Sequence, residues 1–335
     1  MKKLMRTATV LAASLTGFTA AQAAEYEMKM SSMFPSTHFI NTMAMVPWAE
    51  EIEERTDGRV TFTLFPAGSA LGDATKQFDQ ARAGVVEVSV GIPAIPRGRH
   101  PKSVLVELPF TVPDSTVGTC AMMAMKDDLA SDYPDTKVLY LTVTEPSGAH
   151  TKQEIASLDD LKGLRIRTPT PAITAMLEEI GGTPVGMPPT EIYESVERGV
   201  VDGNIMPWGP VGAFKLHEVL GYHLDAAINP VAMYIVFNQR KFDALPEDIQ
   251  QVIDEVSEEV FSNWGRWWHE TDQEAIAAAR EAGNTIIPMS DADREGWRER
   301  LQPVIDNYLA NDSDMSEQDA KATYAAIRDA VAACE

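Results

Sequence analysis

Cysteine is nearly absent: Cys120 and Cys334 are the two in a chain of 335 residues. Their spacing is that of neither a metal-ligand pair nor a redox dithiol, so cysteine-based metal or redox chemistry is excluded. An oxidising compartment would permit a bridge between them, but so long a separation leaves the required geometry undetermined. Bonded and free cysteines both stay open. Positive charge is also scarce, with 28 Lys and Arg against 50 Asp and Glu and a net charge of −22. That balance excludes nucleic acid and anionic membrane surfaces as partners and reads as a solvated acidic coat. The six histidines stand singly. His217-Glu218 followed by His223 misses the zinc-protease pattern, because the position one helical turn on is Gly221. Ser69 sits in no nucleophile elbow. Gly181-Gly182 lacks the lysine of a phosphate loop and reads as a helix stop. No metal, cofactor or catalytic function is expected from these motifs.

Long apolar runs are missing as well, except at the start. Lys2, Lys3 and Arg6 precede an apolar stretch from Thr7 to Ala20, and Ala21-Gln22-Ala23 supplies a small–x–small cleavage pattern. The stretch is too short for a membrane span of roughly 30 Å, so residues 1–23 read as a cleaved signal peptide and the mature chain as periplasmic and soluble. Losing the three positive charges takes the net charge from −22 to −25.

What is present is an alternation of short β-like runs and amphipathic stretches, the pattern of an α/β protein. Strands are expected over Tyr26–Met33, Val60–Phe65, Val85–Gly91, Val138–Thr144, Leu164–Thr168, Val200–Ile205 and Val231–Asn238. Helices are expected over Phe39–Arg55, Gly72–Arg82, Thr116–Leu129, Ala172–Ile180 and Pro189–Arg198. From Leu245-Pro246 to Glu281 no further proline intervenes, and Ile249, Val252, Ile253, Val256, Val260, Trp264 and Trp268 recur at helical spacing. A run of roughly 36 residues would reach about 54 Å, long enough to cross between two domains; the alternative is two helices broken at Gly265. Two lobes joined this way would form a cleft, where ligands of such architectures bind.

Residues 161–209 read LKGLRIRTPTPAITAMLEEIGGTPVGMPPTEIYESVERGVVDGNIMPWG. With the motifs Phe65–Asp73, Val106–Phe110 and Phe237–Gln250, this resembles the substrate-binding subunits of tripartite ATP-independent periplasmic (TRAP) transporters, the DctP-type family. The resemblance runs over the mature chain. It implies a two-lobed clamshell with crossing hinge strands and a long interdomain helix. Lobe I would comprise 24–144 plus 233–272, and lobe II 145–232 plus 273–335. It implies no enzymatic activity, a small organic carboxylate as ligand, the transporter's membrane subunits as partners, and a monomer. The family's carboxylate-binding arginine falls on Arg167, at the end of a strand that Pro169 closes. A guanidinium there can grip both carboxylate oxygens in a fixed fork. Arg165 lies two residues earlier on the same strand but lacks the motif position.

Departures from the family pattern narrow the expected ligand. The second arginine of sialate-binding relatives falls near Gly148, a common asparagine is Met206, and an acidic contact is Ile92. Arg167 would then face Ile92, Met206, Trp208, Met33 and Phe34, with His150 available for a second polar group. Such a pocket should reject sugar acids and favour an aromatic or apolar-bodied carboxylate. A ligand-sensing binding protein, a zwitterionic osmolyte held by Trp208 and Phe34, and a hydrolase or isomerase using His150 are the alternatives.

Overall fold

The computed structural model describes residues 24–335; the leader read over residues 1–23 lies outside them. In chain order its strands are β1 (Tyr26–Ser32), β2 (Val60–Phe65), β3 (Val88–Gly91), β4 (Thr136–Val143), β5 (Gly148–Thr151), β6 (Arg165–Arg167), β7 (Thr183–Val185), β8 (Gly203–Met206), β9 (Tyr222–Asp225), β10 (Ala232–Asn238) and β11 (Thr285–Pro288). They build two sheets, one in the order β2-β1-β3-β10-β4 and one in the order β11-β9-β5-β8-β6-β7.

In the first sheet β1 runs parallel to β2 and β3, and β10 is antiparallel to both β3 and β4. β10 is buried along its whole length because both faces are covered. Ala232, Tyr234 and Val236 enter the core on one side; Met233, Ile235 and Phe237 enter the core on the other. The unbroken apolar run in the sequence is therefore a central strand, not a half-exposed one.

The second sheet separates its faces by chemistry. Ala149, Ile166, Ile205 and Leu224 pack against the helices Pro171–Ile180 and Asp291–Asn307. Their strand neighbours His150, Arg167, Asn204 and His223 occupy the opposite face, as period-two alternation requires, and Met206 and Trp208 pack there with the helix Trp208–Ala213.

The chain crosses between the lobes along two paired segments. Thr144 donates its N–H to the Val231 carbonyl (3.0 Å), Ser147 to Asn229 (2.7 Å) and Ile228 to Ser147 (2.8 Å). The third crossing is helical and differs from expectation. Instead of one continuous helix there are two, Glu247–Phe261 and Trp264–Glu281. The break falls at Ser262-Asn263, ahead of Gly265, where the Asn263 amide donates to the Glu259 and Val260 carbonyls (3.1 and 3.2 Å). Periodicity carries across the break because both helices bury apolar residues in the same core, Ile253 and Val256 before it and Trp264 and Trp268 after it. Bridging falls to the 18-residue second helix alone, roughly 27 Å long. Trp264 and Trp268 lie in the first-lobe core, whereas Ala275, Ile276 and Ala279 lie in the second. Gly265 allows a close crossing, since a Cβ there would sit 2.5 Å from Thr116 Oγ1 and 2.8 Å from Thr116 Cα.

The C-terminal stretch also corrects the expected boundaries. The helix Glu317–Cys334 places Ala320, Tyr324, Ile327 and Val331 in the first-lobe core with Leu105, Val106 and Met122. It does not follow its sequence neighbour, the helix Asp291–Asn307, onto the second sheet. Cys334 is bonded to Cys120 on the helix Ser115–Ala124, with their Cα atoms 6.0 Å apart.

Candidate binding site

A cavity of about 310 Å³ lies between the lobes, at the crossing segments. Thr144, Val231 and Met233 border it from the crossings and Trp268 from the bridging helix. The first lobe contributes Met33, Phe34, His38 and Ile92, and the second contributes Arg167, Pro169, Met206 and Phe214. Five of the residues expected at the site therefore meet: Arg167, Met206, Ile92, Phe34 and Met33.

Arg167 closes β6, and Pro169 prevents the strand from continuing. Its side chain is nearly enclosed, with the residue 6% exposed. The Nε–H donates to the Met187 carbonyl at 3.3 Å. Among the described residues no carboxylate lies within 4.0 Å of its guanidinium. Arg165, two residues earlier, is exposed and forms a two-point pair with Asp202 at 2.7 and 3.0 Å. Burial draws the Arg167 pKa down to about 10, which leaves the group charged at neutral pH. A buried cation without an acid partner carries a desolvation cost of several kcal/mol. Among the described residues, no acid offsets the buried charge of Arg167.

Two expected contacts are placed elsewhere. Trp208 opens the helix Trp208–Ala213, and its indole N–H donates to Asp225 at 3.3 Å. Its ring packs between His150 and His223, at 4.8 Å from each. No face is left for a ligand. His150 is fully buried, and both ring nitrogens are engaged: Nε2 lies 2.9 Å from the Met206 carbonyl and Nδ1 2.8 Å from His223 Nδ1. A carbonyl can only accept, so the neutral His150 carries its proton on Nε2, and its Nδ1 is the ring's acceptor. Burial holds His150 neutral, with its pKa down to about 3. His223 Nε2 in turn lies 2.9 Å from the Asn284 Oδ1.

Two residues at the cavity carry no site signal in the sequence. Trp268 recurs with the core positions of its helix and is indistinguishable from them by spacing. His38 follows the first strand as a single histidine without a motif. It is 9% exposed, and its Nδ1 accepts from the Ile40 N–H at 3.3 Å. Its ring stacks near Phe34 at 4.7 Å and Phe39 at 4.9 Å. Burial lowers its pKa to about 4, so it is neutral, with its proton on Nε2.

A larger depression of about 560 Å³ lies on the first lobe beside Arg99, Lys102 and Asp132. Its buried acid is already occupied, since Asp132 accepts from the Ser103 N–H at 2.8 Å and the Lys102 N–H at 3.0 Å. The arrangement at the interlobe cavity, one unpaired cation in an apolar chamber, is suited to holding an anion rather than to acid–base work. Among the described residues no group of His, Cys, Asp and Glu forms a metal site.

Comparison with known proteins bears on the family and the fold. Residues 30–312 match the family DctP, described as "Bacterial extracellular solute-binding protein, family 7". A solute-binding protein of Sulfitobacter sp. (strain NAS-14.1) is 26% identical over 314 residues, covering 89% of this chain and 92% of the relative. A marine metagenome TRAP solute-binding protein from an unidentified microbe is described as specific for aromatic acid ligands and was solved with metahydroxyphenylacetate. It is 29% identical, with a TM-score of 0.84, over 92% of this chain and 99% of that one. A TRAP solute-binding protein from Rhodoferax ferrireducens T118, solved with copurified benzoate, is 29% identical with a TM-score of 0.82, over 92% and 98% of the two chains. The two-lobed α/β fold, the interlobe cavity and the match over most of the chain lead to one assignment: this chain belongs to the DctP family of bacterial extracellular solute-binding proteins, the binding subunits of TRAP transporters.

Proposed function

We propose that the protein captures a small monocarboxylate with an aromatic or apolar body and presents it to the membrane subunits of its transporter. The observation that carries this reading is Arg167, buried and without an acid partner, at an otherwise mainly apolar cavity. A carboxylate there would accept two charge-assisted hydrogen bonds from the guanidinium and offset the cost of the buried charge. Ile92, Met206 and Met33 provide apolar surface for the ligand body, with Phe34, Phe214 and Trp268 as aromatic walls. The volume is at the lower end for ligand sites and suits one ring better than an extended acid. The polyhydroxylated body of a sugar acid would meet few partners there, and unpaired buried hydroxyls are costly. The aromatic acids held by the two solved relatives support the same class.

Titration calorimetry with benzoate, hydroxybenzoates, a hexuronate and glycine betaine tests the reading. The aromatic acids should bind best, and Arg167→Met should lose about 2–5 kcal/mol of their binding energy. Unchanged affinity in Arg167→Met would remove the clamp, and tighter binding of the hexuronate would remove the apolar-body preference.

A further inference from the structure

Only a few polar side chains border the cavity, and their availability differs. The Thr144 hydroxyl is committed, donating to the Glu145 carbonyl at 2.7 Å and accepting from the Val231 N–H at 2.9 Å. Thr190 is exposed. Arg167 and His38 remain, one from each lobe, both more than nine-tenths buried. At His38 the Nδ1 is taken by the Ile40 N–H, and among the described residues no hydrogen bond engages Nε2. The imidazole packs against Phe34 and Phe39, with Trp268 edge-on at 6.4 Å.

We infer that His38 is a second recognition point, a neutral Nε2–H donor that selects carboxylates bearing an uncharged acceptor, such as a hydroxyl, away from the carboxylate. This rests on Arg167 holding the carboxylate. An imidazole with one nitrogen occupied by a backbone N–H has a single proton to give and no charge. It can satisfy a hydroxyl or ether oxygen. It offers little to a second carboxylate, which would be desolvated opposite a neutral ring. An acid without an acceptor leaves a buried N–H unpaired, a discrimination of about tenfold to a hundredfold. Arg167 thus fixes the anionic end of the ligand, and His38 reads what lies beyond it.

The test compares benzoate, 3-hydroxybenzoate, 4-hydroxybenzoate and isophthalate by calorimetry on the full chain, wild type and His38→Phe. The phenyl ring keeps the aromatic packing and removes the donor. One hydroxybenzoate should bind wild type about tenfold or more tighter than benzoate, with isophthalate weakest. His38→Phe should erase that ratio, with the hydroxybenzoate losing its advantage and benzoate binding at least as tightly as to the wild type. An equal loss for both acids would reduce His38 to a structural ring, and a ratio surviving the substitution would overturn the donor role. If His38→Phe does not fold, histidine-selective nitrogen NMR of the wild type decides: the preferred hydroxybenzoate should shift the His38 Nε2 resonance and benzoate should not, and equal shifts would overturn the inference. Arg167→Met separates the two readings. Full affinity in that variant defeats the carboxylate clamp, whereas a lost clamp with an unchanged ratio in His38→Phe defeats only the role of His38.

Discussion

Arg167 and Asn204 stand directly opposite one another on the parallel strands β6 and β8, yet no side-chain hydrogen bond joins them. Asn204 is in turn opposite His150, and His150 opposite His223, so one polar row crosses the second sheet. Both polar atoms of the Asn204 amide are buried without a partner among the described residues. Neighbouring strands lie about 4.8 Å apart, so an acid at this position would stand within reach of the guanidinium. Asn204→Asp should therefore compete with the ligand, lowering carboxylate affinity at least tenfold while raising the melting temperature of the ligand-free protein. Asn204→Leu, which removes two unpaired polar atoms, should leave the melting temperature unchanged or higher. Calorimetry and thermal melts on the two variants check both.

The buried histidines set an acid limit on stability. Burial lowers His150 to about 3, with the neighbouring His223 acting in the same direction, and burial also lowers His223. The folded state therefore binds fewer protons than the unfolded one. Stability is fully present above the ordinary histidine value of about 6.5 and is lost as pH falls below it. Melting temperature should decline from pH 7 to pH 5. His150→Gln, whose amide can still donate to the Met206 carbonyl, should flatten part of that decline.

Glu107 acts in the opposite direction. It is 1% exposed, accepts from the Ala232 N–H at 2.9 Å, and burial raises its pKa to about 8. A carboxyl raised above its unfolded value of about 4.5 contributes stability that is whole below that value and is lost as pH rises through about 8. Glu107→Gln should fold, retain the contact to Ala232 and melt with a weaker dependence on pH between 5 and 9. An unchanged dependence would show that Glu107 is not protonated in the native state.

The Cys120–Cys334 bridge closes a sequence separation of 214 residues. Restricting so long a loop in the unfolded chain corresponds to about 5 kcal/mol at most, and 2–5 kcal/mol is the usual cost of losing a native bridge. Cys120→Ser with Cys334→Ser should lower the melting temperature by several degrees. Neither cysteine borders the interlobe cavity, so carboxylate affinity below the transition should hold within about twofold. A large loss of affinity would mean that the C-terminal helix shapes the cavity.

The sequence was most legible where burial is two-sided or a motif names the position. β2 has the bounds expected, β10 begins one residue late, and Arg167 reaches the cavity as the family resemblance implies. Four-residue strands such as β5 and β9 escape because Gly148, His150, His223 and Asp225 give no β-like run; their pairing comes from neighbouring strands, not from local preference. Trp208 and His150 have plausible positions but the wrong depth. His150 lies on the face covered by the helix Trp208–Ala213, and Trp208 starts that helix with its ring turned toward the two histidines. His38 is illegible for the converse reason: its chemistry depends on Ile40, Phe34 and Trp268 closing around it, and Trp268 is distant in sequence.

The helix Glu317–Cys334, packed in the first-lobe core, opposes the order in which the chain is made to the order in which it can close. β1 to β4 emerge early, but β10 arrives only after β5 to β9 of the second sheet, and Ile327 and Val331 arrive later still. The first lobe is therefore incomplete until the helix Glu317–Cys334 has been made, and its assembly waits on contacts between segments far apart in sequence. Removing the helix Glu317–Cys334 should unravel the first lobe before the second.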